Sequence, residues 1–142
     1  MGTRADFYLG TGLEAEWLGS VAWDGYPGEY GIPASILDAT DKDKYLTAVD
    51  FFLTSRDDAT YPRHGWPWPW ENSRVTDYAY AFVDEQVLIS CFGSLYMPVP
   101  AFVALSEDEL EALPRDVEVF PDMSAIQRVD LGKRSGLIIL RR

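Results

Sequence analysis

The sequence predicts a single α+β domain over residues 1–142: an antiparallel β-sheet built of hairpins, one main helix at about residues 41–55 and a short second helix at about 107–113. Apolar residues alternate with polar ones in short stretches, as half-buried strands require. Those stretches come in pairs across short turns, which is how antiparallel hairpins are written. One longer segment instead repeats its apolar residues at helical spacing.

Ala5, Phe7 and Leu9 fall on one side of a first strand, with Asp6 and Tyr8 on the other. After the loop Gly10-Thr11-Gly12-Leu13-Glu14, the stretch from Glu16 to Trp23 alternates again, placing Trp17, Val21 and Trp23 together and Leu18, Ser20 and Ala22 opposite. Asp24-Gly25-Tyr26-Pro27-Gly28 are turn formers that take the chain out of the sheet. Thr40-Asp41-Lys42-Asp43 resembles a capping box, and Tyr45, Val49, Phe52 and Leu53 draw an apolar stripe, so the main helix is expected there, with a short helical turn before it after Pro33. A second hairpin pairs residues 77–83 with 87–92 across Asp84-Glu85-Gln86. Pro98 and Pro100 reduce 101–105 to an edge strand. Ser106-Glu107-Asp108-Glu109 is a capping box that starts the short helix, and Pro114 ends it. Residues 126–131 and 137–140 read as a last hairpin around Gly132 and Gly136.

Length and composition fit one self-sufficient core: 142 residues, 47% hydrophobic and 14% aromatic. No apolar run reaches the roughly 20 residues that cross a bilayer, and no secretory leader is evident. A lone cysteine, Cys91, cannot form an internal disulfide and suits a reducing compartment, so the cytoplasm is expected. Residues 1–125 hold 22 acidic and 7 basic side chains, a net of −15, whereas residues 126–142 carry five bases and one acid. Such a body repels phosphate backbones, so a basic protein is the expected partner and direct nucleic-acid binding is not.

Several chemistries are absent as motifs. One histidine and one cysteine give no zinc-ligand spacing, and no EF-hand loop is present, so neither metal nor cofactor is expected. Gly10-Thr11-Gly12 leads into a strand where a dinucleotide fingerprint needs a helix. Ser94 lacks the flanking glycines of a nucleophile elbow. The one nucleophilic arrangement open to this composition pairs Cys91 with His64, with Glu71 and Asp77 nearby, as in a small hydrolase or transferase. That reading is the alternative to the leading one, which is docking. Asp57, Asp58, Asp84, Glu85, Glu107, Asp108, Glu109 and Glu111 are candidate partner-facing acids, able to imitate a phosphate backbone if they share a face. Trp66, Trp68 and Trp70, alternating with prolines, are candidate aromatic contacts, although such rings also serve as lids on a core.

The stretches 3–8, 16–27 and 64–73, the last reading His64-Gly65-Trp66-Pro67-Trp68-Pro69-Trp70-Glu71-Asn72-Ser73, resemble a family of small bacterial and prophage-borne proteins. The resemblance transfers no catalytic residue. It implies a mobile-element setting, in which an inhibitor of host defence of the anti-CRISPR kind, or an immunity protein, is the expected role. The function expected from residues and resemblance together is an acidic inhibitor or adaptor docking on a basic, nucleic-acid-handling protein.

Overall fold

In the computed structural model, which describes residues 2–123, six strands form one sheet: β1 (Ala5–Leu9), β2 (Glu16–Val21), β3 (Ala59–Thr60), β4 (Tyr78–Val83), β5 (Gln86–Cys91) and β6 (Met97–Pro98). Their order is β3-β2-β1-β4-β5-β6. Helices α1 (Ala34–Leu37), α2 (Lys42–Thr54), α3 (Val99–Val103) and α4 (Glu107–Glu111) complete an α+β fold. The hairpin expected at 126–131 and 137–140 lies outside the described residues.

Both hairpins form, β1 with β2 and β4 with β5. The turn between β4 and β5 is two residues long, and Asp84 and Glu85 both take positive φ, at 49° and 67°, as a tight hairpin with the sheet's own twist demands. The sheet differs from a purely antiparallel one at its centre. There β1 and β4 run parallel, with Ala5 opposite Tyr78 and Leu9 opposite Phe82. A parallel neighbour requires a long crossover, and the helices and loops between β2 and β4 provide it.

Helix α2 begins one residue later than the Thr40–Asp43 box implies: Asp41, not Thr40, is its cap, accepting a hydrogen bond from the Lys44 amide at 3.1 Å. It lays Tyr45, Val49 and Leu53 on Phe7, Val21, Tyr80, Phe82 and Ile89, forming the larger core. The expected edge strand at 101–105 is instead helix α3. Pro98 caps it and Pro100 sits in its first turn, where the missing N–H has no helical partner to lose, and Val99 and Phe102 turn inward three residues apart. Helix α4 has the predicted capping box, Ser106 Oγ accepting from the Glu109 amide and Glu109 accepting from the Ser106 amide.

The alternation expected for residues 16–23 breaks in the middle. Phe7 faces Gly19 while Tyr8 faces Trp17, so Leu18 is an extra residue forming a bulge. The bulge separates Trp17 from Val21, which sit on opposite faces of the sheet. Gly19 permits it: its φ is +146°, and a Cβ there would lie 2.6 Å from Leu53 Cδ1. Trp23, expected beside them, is past the strand end and 58% exposed.

The second face of the sheet is therefore buried too. Tyr8, Trp17, Ala79 and Ala81 lie under Trp66, Phe120 and Met123, with Trp68, Trp70 and Tyr96 at the margin. The small side chains of Ala79 and Ala81 make room for the indoles. The molecule thus has three layers: helices, sheet and an irregular aromatic lid.

Candidate functional site

Asp6 lies at the centre of this lid. It is fully buried between Ala5 and Phe7 on β1, and it accepts hydrogen bonds from Ser20 Oγ at 2.5 Å, Ser73 Oγ at 2.5 Å and Trp68 Nε1 at 2.7 Å. The bonds extend outward: Trp17 Nε1 donates to Ser20 Oγ at 3.0 Å, and the Tyr8 hydroxyl shares a 2.6 Å bond with Ser73 Oγ. No cation is within ion-pair reach of Asp6 among the described residues. Burial consequently pushes its carboxyl above the ordinary value, against the pull of the Ser20, Ser73, Trp68 and Thr76 donors. The same burial, reinforced by the Asp6 charge, raises the Tyr8 phenol far beyond its usual range.

Each indole of the strip has an internal acceptor. Trp66 donates to the Trp70 carbonyl at 2.6 Å, Trp68 to Asp6, and Trp70 to Thr76 Oγ1 at 2.9 Å. Trp66 is 2% exposed and meets Trp17 edge-on, so it is a core residue. Trp68 and Trp70 are half-buried and stacked, ring centroids 5.6 Å apart. The Arg4 guanidinium lies over both, at 5.8 and 5.5 Å, and reaches Asp77 at 3.6 Å. The proline-spaced array is thus turned inward as a lid, with the Trp68–Trp70 pair at its outer margin.

The candidate acids are spread over the fold. Glu107, Asp108, Glu109 and Glu111 share α4 and are exposed. Asp84 and Glu85 form the exposed β4–β5 turn. Asp57 is exposed just ahead of β3, the sheet edge opposite β6, which leads into α3 and α4. Asp58 differs: its side chain is 5% exposed, receives the Ala22 and Trp23 amides at 3.0 and 2.8 Å, and meets Arg56 at 2.7 Å. Burial raises its pKa, but the Arg56 bonds and the Trp23 amide outweigh that and hold it low. Asp58 is an internal clasp between the end of β2 and the start of β3.

The nucleophilic set is not assembled. Cys91 closes β5 and His64 follows β3, with strands β2, β1 and β4 lying between β3 and β5. His64 Nδ1 accepts from the Tyr61 amide at 3.2 Å. Burial pushes the Cys91 thiol up, the opposite of what a nucleophile needs. Glu71 is exposed, and Asp77 is engaged by Arg4. Among the described residues no three His, Cys, Asp or Glu side chains converge as metal ligands would, and no helix is long and apolar enough to cross a membrane.

Sequence reasoning missed two features. Asp6 sits in the register of a half-buried strand, and only the aromatic stretch at 66–70 hints that its face is covered. Phe51, one residue before the apolar pair of α2, points outward and is 74% exposed. No family model matches the chain, and no curated protein or solved structure does.

Proposed function

We propose that the chain is a protein-binding module, an acidic inhibitor or adaptor that docks on a basic, nucleic-acid-handling protein in the cytoplasm, as phage anti-defence and immunity proteins do. The observation that carries this reading is the state of its charges. Residues 2–123 hold 22 acids and 7 bases, and five of those bases are already engaged. Arg4 pairs with Asp77, Arg56 with Asp58 and Asp24, and Arg74 with Asp116. Arg63 lies over Tyr61, and Arg115 binds the Leu110 and Leu113 carbonyls. Among the described residues that leaves Lys42, Lys44, Arg63 and Arg115 as the bases with no acid partner, too few to offset the exposed acids of α4, the β4–β5 turn and Asp57. The resulting field attracts basic surfaces and repels nucleic acid.

The test is charge reversal. The chain is titrated against a panel of purified basic nucleases and nucleic-acid-binding proteins at low and high salt, with Glu107, Asp108 and Glu111 replaced together by Lys in a second preparation. Glu109 is left in place because it caps α4. Saturable binding that weakens with salt and falls at least tenfold on reversal is expected. Binding that ignores both salt and reversal overturns the proposal.

A further inference from the structure

Helices α1 and α2 enclose an open groove of about 790 Å³ on the side of α2 turned away from the sheet. Ala34, Ala48 and the buried Ala39 line it together with the hydroxyl side chains of Ser35, Thr40 and Thr47, and Phe51, 74% exposed, borders it. The composition is unusual for a solvated helix face. The exposed Phe51 ring beside these alanines leaves apolar surface that no other described residue covers, and such a ring is the kind of anchor that dominates interfaces. The rim is charged: Asp38 at the end of α1 and Asp43 in the first turn of α2 line the groove, opposed by Lys44 alone.

We infer that this groove is where the partner docks, and that it receives a basic amphipathic helix whose apolar side chains lie on Ala39, Ala48 and Phe51 while its Lys or Arg residues reach Asp38 and Asp43. The inference rests on the proposed binding function and assigns it a place. The occupant follows from complementarity. The alanines and the Phe51 ring offer apolar contact to leucine-sized side chains, and a rim on a body of net charge −15 selects cationic neighbours for them. The candidate acids of α4 and the β4–β5 turn then act at longer range, steering the partner.

The experiment uses the full-length, isotopically labelled chain and a synthetic 14-residue amphipathic helix of leucine and lysine, followed by backbone amide shifts. A matched peptide with glutamate in place of lysine is the control. Saturable shifts at residues 34–51 with the lysine peptide are expected, with affinity falling at least tenfold in Phe51→Ala and in Asp38→Lys/Asp43→Lys. The glutamate peptide is expected to leave the spectrum unchanged. Phe51 is exposed, so its removal leaves the core intact, and an unchanged amide spectrum of the free variant verifies this. If the lysine peptide instead shifts residues 84–85 and 107–111, and Phe51→Ala binds normally, the groove assignment falls while the acidic binding function stands. If the lysine peptide produces no saturable shift anywhere, both fall.

Discussion

Replacing Asp6 tests the central arrangement of the lid. Asp6→Ala deletes the acceptor of two buried donors, Ser20 Oγ and Ser73 Oγ, and of the half-buried Trp68 Nε1. Each orphaned donor costs about 1–3 kcal/mol, and the carboxyl's own burial cost is recovered, so a net loss of about 3–5 kcal/mol is expected. That is a large share of the ~5–15 kcal/mol by which domains are stable. With a urea m-value of about 1.5 kcal/mol/M, the unfolding midpoint falls by roughly 2–3 M. Asp6→Asn is the informative companion. Its carbonyl still accepts from Ser20 and Trp68, and its amide donates to Ser73, whose hydroxyl turns toward Tyr8, so it imitates the protonated acid and costs about 1 kcal/mol.

The pH dependence follows from the direction of the Asp6 shift. A carboxyl whose native pKa is raised binds its proton more tightly in the folded state. It stabilises fully below the ordinary aspartate pKa, and that contribution is lost as pH rises through the raised native value. Urea melts followed by tryptophan fluorescence, repeated across acidic to neutral pH, should show a steeper decline in the parent than in Asp6→Asn, where the raised Asp77 carboxyl alone of the two remains. A midpoint for Asp6→Ala within about 0.5 M of the parent would refute the reasoning, since it would mean that the donors find other partners at no cost.

Asp58→Ala, which frees Arg56 and the Ala22 and Trp23 amides, should cost about 2–3 kcal/mol by the same melts. Its sign in pH is opposite: Asp58 has a lowered native pKa, so its contribution is present above the ordinary value and disappears as pH falls through the lowered one. An acid limb unchanged in Asp58→Ala would contradict this. Cys91, buried and with its thiol pushed up, should react with an aromatic disulfide reagent about a hundredfold more slowly in the native protein than in urea; equal rates would place the thiol at the surface.

The parts of this architecture that were legible in the sequence are those set by local rules. Ser106 and Glu109 form a capping box whichever fold surrounds them, the Thr40–Asp43 stretch marks a helix start to within a residue, and the alternation of Tyr78, Tyr80 and Phe82 with Ala79 and Ala81 marks a strand on its own. The parts that were not legible depend on distant residues. The parallel β1–β4 contact leaves no mark in either strand. The Leu18 bulge is visible only as Gly19, whose left-handed φ matters because Leu53 and Thr60 approach it. The Pro98–Phe102 stretch satisfies both an edge strand and a helix start, and the burial of Val99 and Phe102 decides between them. The candidate site divides the same way: Trp66 to Trp70 stand out by composition, but their role as a lid depends on Asp6, 62 residues from Trp68.

That separation also orders events during synthesis. Asp6 and Ser73 are 67 residues apart in the chain, and ribosomes add about 5–20 residues per second, so β1 and its hairpin partner wait roughly 3–13 s for the segment that covers them. The open edge of β1 is closed only after that, by β4 at residues 78–83, and a charged residue such as Asp6 on an unpaired edge makes it a poorer template for a neighbouring chain. The residue that later binds the lid in place thus begins as the guard of an unfinished sheet.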